Sequence, residues 1–600
     1  MDTAASHTVA GGGIPFSYDP LPGPGKLTRL ATLHPALPNE NGETPGLCLS
    51  LRQVDLDDHP RYSAVSYVWG SAAANHAISV NSKTFYINSN LHEALVHTRA
   101  NLVDGADCVR GDDFATWDAF PVLKSLEAWE EVHEFFKRPF WYRLWIVQEV
   151  ILSRNDTILC GDEQLSWVVF ERAYRKWYRE FRLRTLKAPG YFDQVEALAV
   201  TRNGWGNLSS MMMLRNAHQD GGEMDIPPIL DELASTWRFE VAKPVDRIYG
   251  LLSITDHAVI PDCALSAEEV YTAFARSQIE EGRTEVVLFA GSGVPDGQDK
   301  TCALPSWVPD WHGRAAGKLR PNYRSLQAFL GAGRRPSEPR DGRVSISLAS
   351  DVADALSAQA VLGPQVVRTA PPGFLESVGF WREFRGRAFE ATYAGTGMSE
   401  LQALFRTLLF DTAFPFFDYV RLSGLDARYY ELVVGFLAVM ARALEIAEPD
   451  DGVAWDHRPI ARELFSMPRG QFTDDEVDTA LLRLFQRPAD STAGEGMWPI
   501  DSAPAPERDL LAGFNERHTG HTGHQCFFWT ADGYFGLGPP GCREGDIPSV
   551  FVGGDVLHML RQHDGYYEHV GPCFVLGLMD GELLQRVDDG VAATQEIIIR

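Results

Sequence analysis

Tyr62-Ser63-Ala64-Val65-Ser66-Tyr67-Val68-Trp69-Gly70 is the stretch on which the N-terminal fold turns. Aromatic and β-branched residues run through it, and a glycine closes it. That composition predicts a buried strand leading straight into a glycine turn. Outward from it, Cys48-Leu49-Ser50-Leu51 and Ser63 to Val68 carry short strand signals on either side of the acidic turn Asp55-Leu56-Asp57-Asp58. Ile78-Ser79-Val80 and Phe85-Tyr86-Ile87 flank Asn81-Ser82-Lys83-Thr84, a hairpin signal. Asn88 or Asn90 caps the next helix, whose apolar face includes Leu91, Leu95 and Val96. This order predicts an α/β start with antiparallel pieces.

A second helix is predicted from about Asp118 to Lys137. Val122, Leu126, Trp129, Val132 and Phe136 recur at spacings of three and four, and Pro139 stops it. The run Arg138 to Val150 follows, rich in aromatics but carrying Arg143, Gln148 and Glu149. Buried polar atoms there need partners, so a core helix with one buried ion pair is the plainest expectation. Asp246-Arg247 opens the apolar segment Ile248-Tyr249-Gly250-Leu251-Leu252, where the pair holds a loop or touches a phosphate. Ser266-Ala267-Glu268-Glu269 is a capping box ahead of Val270, Tyr271 and Phe274. Leu304-Pro305-Ser306-Trp307-Val308-Pro309-Asp310-Trp311 reads as a rigid packed loop.

The chain has 600 residues, 45% of them hydrophobic, which excludes a disordered chain and suggests roughly two to four domains. Its 54 basic and 81 acidic residues give a formal charge of -27, which disfavours nucleic acid and anionic lipid as general partners. Arg172, Arg175, Lys176, Arg179, Arg182 and Arg184 form a local basic set among aromatics, expected to be a solvated helix face and not a phosphate site. The 8 cysteines are scattered without CxxC spacing, which excludes a secreted disulfide scaffold. The N-terminus has no signal or transit pattern, and the run Leu432 to Ala441 is about half a bilayer span. A cytoplasmic, soluble protein without membrane insertion is expected.

Residues 1–26 read as a flexible leader and 313–340 as a linker or long loop. Val344-Ser345-Ile346-Ser347-Leu348 reads as a strand, and 341–509 as mainly helical, with helices around Leu401 to Leu409 and Leu432 to Ile446. Residues 510–600 read as an antiparallel β-rich module. In it Ala531-Asp532-Gly533 turns between Cys526–Thr530 and Tyr534–Gly538. The string Gly536-Leu537-Gly538-Pro539-Pro540-Gly541 satisfies GxGxxG, but its prolines remove the donors a nucleotide site needs. His518, His521, His524 and Cys526 lack a standard zinc spacing, so no metal is expected. Thr473-Asp474-Asp475-Glu476 is a capping box, not a calcium loop.

Tyr62–Gly70, the Arg143/Trp145/Gln148-Glu149 run, Pro244/Asp246-Arg247-Ile248-Tyr249-Gly250 and Leu304–Trp311 together resemble the fungal heterokaryon-incompatibility (HET) domain family. Lys243 and Val245 replace an aspartate and an arginine of that pattern. The family's tryptophan-aspartate strand and its follow-on strand find no equivalent between Arg99 and Asp118, where Val103–Cys108 is at best a remnant. The resemblance implies an incomplete, TIR-like three-layer α/β unit over 27–312, structurally marked by Gly70, Trp145, Gln148, Asp246, Arg247 and Tyr249. Trp69, Trp141, Trp145 and Tyr249 are expected to hold its core.

The resemblance implies an intracellular signalling and recognition protein of heterokaryon incompatibility or programmed cell death. Self-association or a protein partner, and no required cofactor, go with that reading. One alternative is a TIR-like NAD-processing enzyme, with NAD as substrate, Glu149 as catalytic carboxylate and Tyr67, Trp69 and Arg143 lining the pocket. Another is a degenerate non-enzymatic scaffold.

Overall fold

The computed structural model describes residues 14–21, 26–35, 46–70, 73–103, 131–132, 134–153, 156–161, 163–185, 204–219, 239–255, 259–284, 287–288, 303–312, 344–374, 380, 391–394, 396–409, 411–413, 420–421, 525–554 and 556–600. Side chains are described for most of these. The chain divides into two compact units, Met1–Met224 and Asp225–Arg600.

In the first unit, β1 (Leu27–Leu33), β2 (Cys48–Asp55), β3 (His76–Val80) and β4 (Lys83–Ile87) form a sheet in that order. β1–β2 and β3–β4 are antiparallel, and β2–β3 is parallel. Asn81 and Ser82 both take positive φ, 49° and 62°, which matches the strand twist of a two-residue hairpin turn. Helix α1 (Ser89–Val103) follows, with Asn88 as its cap: Leu91 N–H donates to Asn88 Oδ1 at 2.8 Å. Leu91, Leu95 and Val96 pack on Leu49, Ile78, Val80 and Ile87. Phe16, within the expected leader, packs here too, because its N–H donates to Thr84 O at 2.8 Å.

Tyr62 to Val68 is the main departure from expectation. It forms no strand, and Tyr62, Val65 and Trp69 are exposed. β-Propensity needs a neighbouring ladder, and the place beside β2 is taken by β3. The segment is instead the crossover between two parallel strands.

A second core in this unit is aromatic. Trp141 is 2% exposed and stacks on Phe170 at 5.7 Å and 15°. Helix α2 (Trp145–Leu152) buries Ile146, Val147, Val150 and Ile151. The antiparallel pair β5 (Thr157–Cys160) and β6 (Glu163–Ser166) leads into helix α3 (Trp167–Thr185), which with α4 (Gly204–Gln219) completes the group. Gly204 is required by closeness: a Cβ there would lie 2.3 Å from Trp141 Cβ. Of the four expected core residues, Trp141 and Tyr249 are buried, Trp145 is half-buried and Trp69 is 62% exposed. Arg172, Arg175 and Lys176 lie on α3, where Glu171 binds Arg175 at 2.6 Å. The side chains of Arg179, Arg182 and Arg184, and the expected helix before Glu131, lie outside the described residues.

In the second unit, Ser266 and Glu269 form the expected capping box on helix α5 (Ala267–Glu280). Trp311 packs edge-on against Tyr271 and Phe274, and Trp307 is fully buried with its Nε1–H on Asp354 O at 3.0 Å. Helix α6 (Glu400–Leu408), capped by Ser399, buries its apolar face. The helix expected at Leu432 to Ile446, the Thr473 box and residues 313–340 lie outside the described residues.

The C-terminal sheet draws on β7 (Ile346–Leu348), β8 (Leu356–Leu362) and β9 (Val366–Ala370) as well as β12 (Cys526–Thr530), β13 (Phe535–Gly538), β14 (Ile547–Phe551), β15 (Leu557–Gln562), β16 (Tyr567–Val575) and β17 (Gln595–Ile599). Thr412–Ala413 and Val420–Arg421, β10 and β11, pair separately. The path β15-β14-β8-β17-β16 closes on itself because β16 also pairs β15. Closure removes both edges of that ring. β13, β12 and β9 continue outward from β16. Helix α7 (Glu582–Asp588) packs Leu583 into the same core. The molecule is thus mixed α/β with helix in its middle region and a largely antiparallel C-terminal β module.

Candidate functional site

The crossover Tyr67–Gly70 is the best-built surface feature of the first unit. Three consecutive carbonyls are held by three side chains. Arg143 Nη1 donates to Tyr67 O, Asn90 Nδ2 to Val68 O at 2.8 Å, and Asn88 Nδ2 to Trp69 O at 2.9 Å. Asn88 therefore caps α1 with its oxygen and clamps the loop with its nitrogen. Gly70 turns the chain at φ 68°, and a Cβ there would meet Asn90 Nδ2 at 2.8 Å. The Tyr67 and Trp69 rings lie 5.4 Å apart and tilted by 36°. Burial raises the pKa of the Tyr67 hydroxyl, and the Arg143 charge opposes that rise. The result is a rigid loop presenting an exposed indole.

Tyr67, Trp69, Gly70 and Arg143 are thus brought together. Glu149 is not: it is exposed on α2, and among the described residues no ion pair joins it to Arg143. The expected buried pair fails because Arg143 lies before the helix and turns to the crossover carbonyl. Gln148 and Trp145 are half-buried on α2. Asp246, Arg247 and Tyr249 belong to the second unit, in the helical turn Asp246–Tyr249. Arg247 is 2% exposed, and burial lowers its pKa against the pull of Tyr271 and Glu240. Tyr249 OH donates to Asp262 O at 3.2 Å. These contacts brace a packed loop.

The closed ring of strands holds a second polar cluster. Arg561 donates from Nε to Asp546 Oδ1 at 2.9 Å and from Nη2 to Asp546 Oδ2 at 3.1 Å. It also donates to Gly541 O at 2.7 Å and to Glu568 Oε2 at 3.3 Å. Burial works against the Arg561 charge, but Asp546 and Glu568 outweigh it and raise the pKa. His558 is fully buried, with Nδ1 3.0 Å from His569 Nε2. Burial, then His569, drives its pKa well below the usual value, so it is neutral. Cys526, Cys542 and Cys573 are buried thiols, and burial pushes Cys526 up to about 12. Such thiols are protonated and inert. Among the described residues no group of His, Cys, Asp or Glu could hold a metal; His518, His521 and His524 lie outside them. Gly536 serves packing, since a Cβ would sit 2.2 Å from the Phe528 ring. Sequence reasoning missed this cluster because its members pair across strands, at separations no local pattern reveals.

The Het-6 beta-barrel domain family matches residues 509–589, the stretch that supplies β12 to β16. Along its length the chain is 22% identical over 731 residues to "Heterokaryon incompatibility protein 6, OR allele" of Neurospora crassa, covering 97% of this chain and 98% of that protein. The chain is thus similar to a heterokaryon-incompatibility protein along its length and to the Het-6 beta-barrel domain family over its C-terminal strands. An aligned length above 600 means that the Neurospora relative carries segments this chain lacks. The barrel match also stops short of β17 and begins after β8, yet both strands are needed to close the ring. No solved structure matches the chain.

Proposed function

We propose that this chain acts in heterokaryon incompatibility as a recognition and signalling protein whose contact with a protein partner, or with itself, switches a cell-death response. The observation that carries this is the similarity to the Neurospora incompatibility protein across nearly the whole of both chains. The loop Tyr67–Gly70 supports it physically. A rigid, exposed tryptophan costs little conformational entropy on binding, and tryptophan is a frequent interface anchor. The charge of -27 supports a protein partner over nucleic acid. No described helix is long and apolar enough to cross a membrane. We place the protein in the cytoplasm. The test is a pairing assay between fungal strains expressing the chain or its Trp69→Ala variant. Loss of incompatibility with normal protein level supports the reading. An unchanged response removes Trp69 from it, and no response from the parent chain overturns the function.

Residues 27–312, which run past the boundary between the two compact units, we take to be a shortened TIR-like layer structure, followed by the linker 313–340, the helical region 341–509 and the β module 510–600, with β7 to β9 supplied from the middle region. Its missing core block would fall between Arg99 and Asp118, of which 104–118 lie outside the described residues. An NAD-processing reading keeps Tyr67 and Arg143 adjacent, but it needs Glu149 in a water-poor setting, and Glu149 is exposed. We therefore expect no robust nicotinamide release from NAD by the intact protein, with Glu149→Gln as control. Robust turnover abolished by that substitution would promote the enzyme over the scaffold and signalling readings.

A further inference from the structure

β1 forms one edge of the N-terminal sheet, and among the described residues nothing pairs with its outer side. The opposite edge is covered, because Thr84 of β4 exchanges bonds with Phe16 N–H and Ile14 O. Leu27–Leu33 contains no proline, no lysine and no bulge, and its one charged side chain, Arg29, lies over the Tyr18 ring and donates to Asp19 O. The bonding parity shows which groups point outward. Leu56 N–H donates to Lys26 O and His34 N–H to Cys48 O, each at 3.0 Å. With the register Leu27↔Asp55 to Leu33↔Leu49, the residues exchanging bonds with β2 are then Thr28, Leu30 and Thr32. Leu27, Arg29, Ala31 and Leu33 turn both N–H and C=O away from the sheet.

The strand reads nearly alike in both directions: Leu27-Thr28-Arg29-Leu30-Ala31-Thr32-Leu33. We propose that two copies of this chain pair antiparallel through β1 about a twofold axis at Leu30, joining their four-stranded sheets into one. In that register Leu27 faces Leu33 of the second copy, Thr28 faces Thr32, Arg29 faces Ala31 and Leu30 faces its counterpart. Every outward-pointing residue meets another outward-pointing residue, so each such pair exchanges two backbone bonds. A slip of one residue sets outward groups against inward ones and forms no ladder. A slip of two residues in one direction sets Arg29 against Arg29, with like charges opposed. Matched threonines and leucines face each other only in the proposed register. A self-complementary patch is what an isologous twofold interface requires. The inference stands apart from the incompatibility reading, since it rests on β1 alone.

The test uses the full chain. Leu30→Cys places two thiols at a non-hydrogen-bonded pair, where Cα atoms lie about 4.5 Å apart and can be bridged. Mild oxidation is expected to give disulfide-linked dimers that the parent chain lacks, and Thr28→Cys, which faces Thr32, is expected to give few. Sedimentation velocity supplies the second arm. Ala31→Lys sets a lysine against Arg29 twice and is expected to shift dimer to monomer, while Arg29→Glu combined with Ala31→Lys restores the dimer. A monomeric parent chain at micromolar concentration overturns the proposal. So does a folded Ala31→Lys dimer, or equal crosslinking by both cysteines.

Discussion

Asp546→Ala removes the acceptor on which the ring of strands centres its charge. The Asp546 side chain is 1% exposed and takes two bonds from Arg561 and one, at 2.8 Å, from Arg543 N–H. Without it the Arg561 guanidinium, whose side chain is 9% exposed, loses both bonds to its carboxylate partner, while Gly541 O and the longer contact to Glu568 stay. Breaking a buried pair by removing one partner costs about 3–5 kcal/mol, chiefly because the other charge is stranded. Glu568 remains at 3.3 Å, which places the expected cost near the lower end, about 3 kcal/mol. Urea unfolding followed by circular dichroism measures it as a fall in midpoint at unchanged slope. Adding Arg561→Met removes the stranded charge, so the double variant is expected to be more stable than Asp546→Ala alone. A loss below about 1 kcal/mol, or a double variant no more stable than the single, would refute the stranded-charge argument.

Acidification below about pH 6.5 is expected to weaken the barrel. His558 stays neutral in the fold and takes a proton when unfolded, so each pH unit down to its lowered folded pKa costs about 1.4 kcal/mol. His558→Gln should flatten this slope; equal slopes for both proteins count against it. Gly536→Ala drives a methyl into the Phe528 ring and is expected to cost about 1–3 kcal/mol by thermal or urea unfolding, with a neutral result showing that the ring yields freely. Trp141→Ala empties a fully packed site and should cost about 3–5 kcal/mol, whereas Trp69→Ala should change stability by no more than about 0.5 kcal/mol. Similar losses for both would contradict the exposure of the crossover loop.

Where local chemistry decides the structure, the sequence is legible. The hairpin at Asn81–Ser82, the Asn88 cap, the Ser266–Glu269 box and the Ala531–Gly533 turn each depend on residues within a few positions. Tyr62–Val68 is the instructive failure. Its residues favour a strand, but a strand is made by its neighbour, and three side chains from elsewhere bond the carbonyls of Tyr67, Val68 and the following Trp69 instead. Cys526–Val575 shows the same limit at larger scale, because its short strands are readable while their closing partners lie far upstream and downstream. Tyr567–Val575 is one long strand, β16, whose pairing with β15 shifts register between Met559 and Leu560. Of the proposed site, Tyr67, Trp69 and Arg143 converge as motif neighbours, whereas Glu149 does not, since helical phase sends it to solvent.

Closure of the ring through Ala360↔Gln595 also sets an order on synthesis. β8 leaves the ribosome more than two hundred residues before β17 exists. Until then the side of β8 that β17 takes has no partner, although β7 and then β14 can pair its other side, and Leu356, Ala358 and Ala360 have an incomplete core to enter. Loops of that length close slowly, and unpaired apolar strands are what chaperones hold and what aggregation captures. The barrel is therefore a fold assembled last, after the N-terminal sheet with its α1 hairpin neighbour can already have formed from contacts near in sequence. A nascent chain stalled before Gln595 would carry a finished Tyr67–Gly70 crossover and an open barrel.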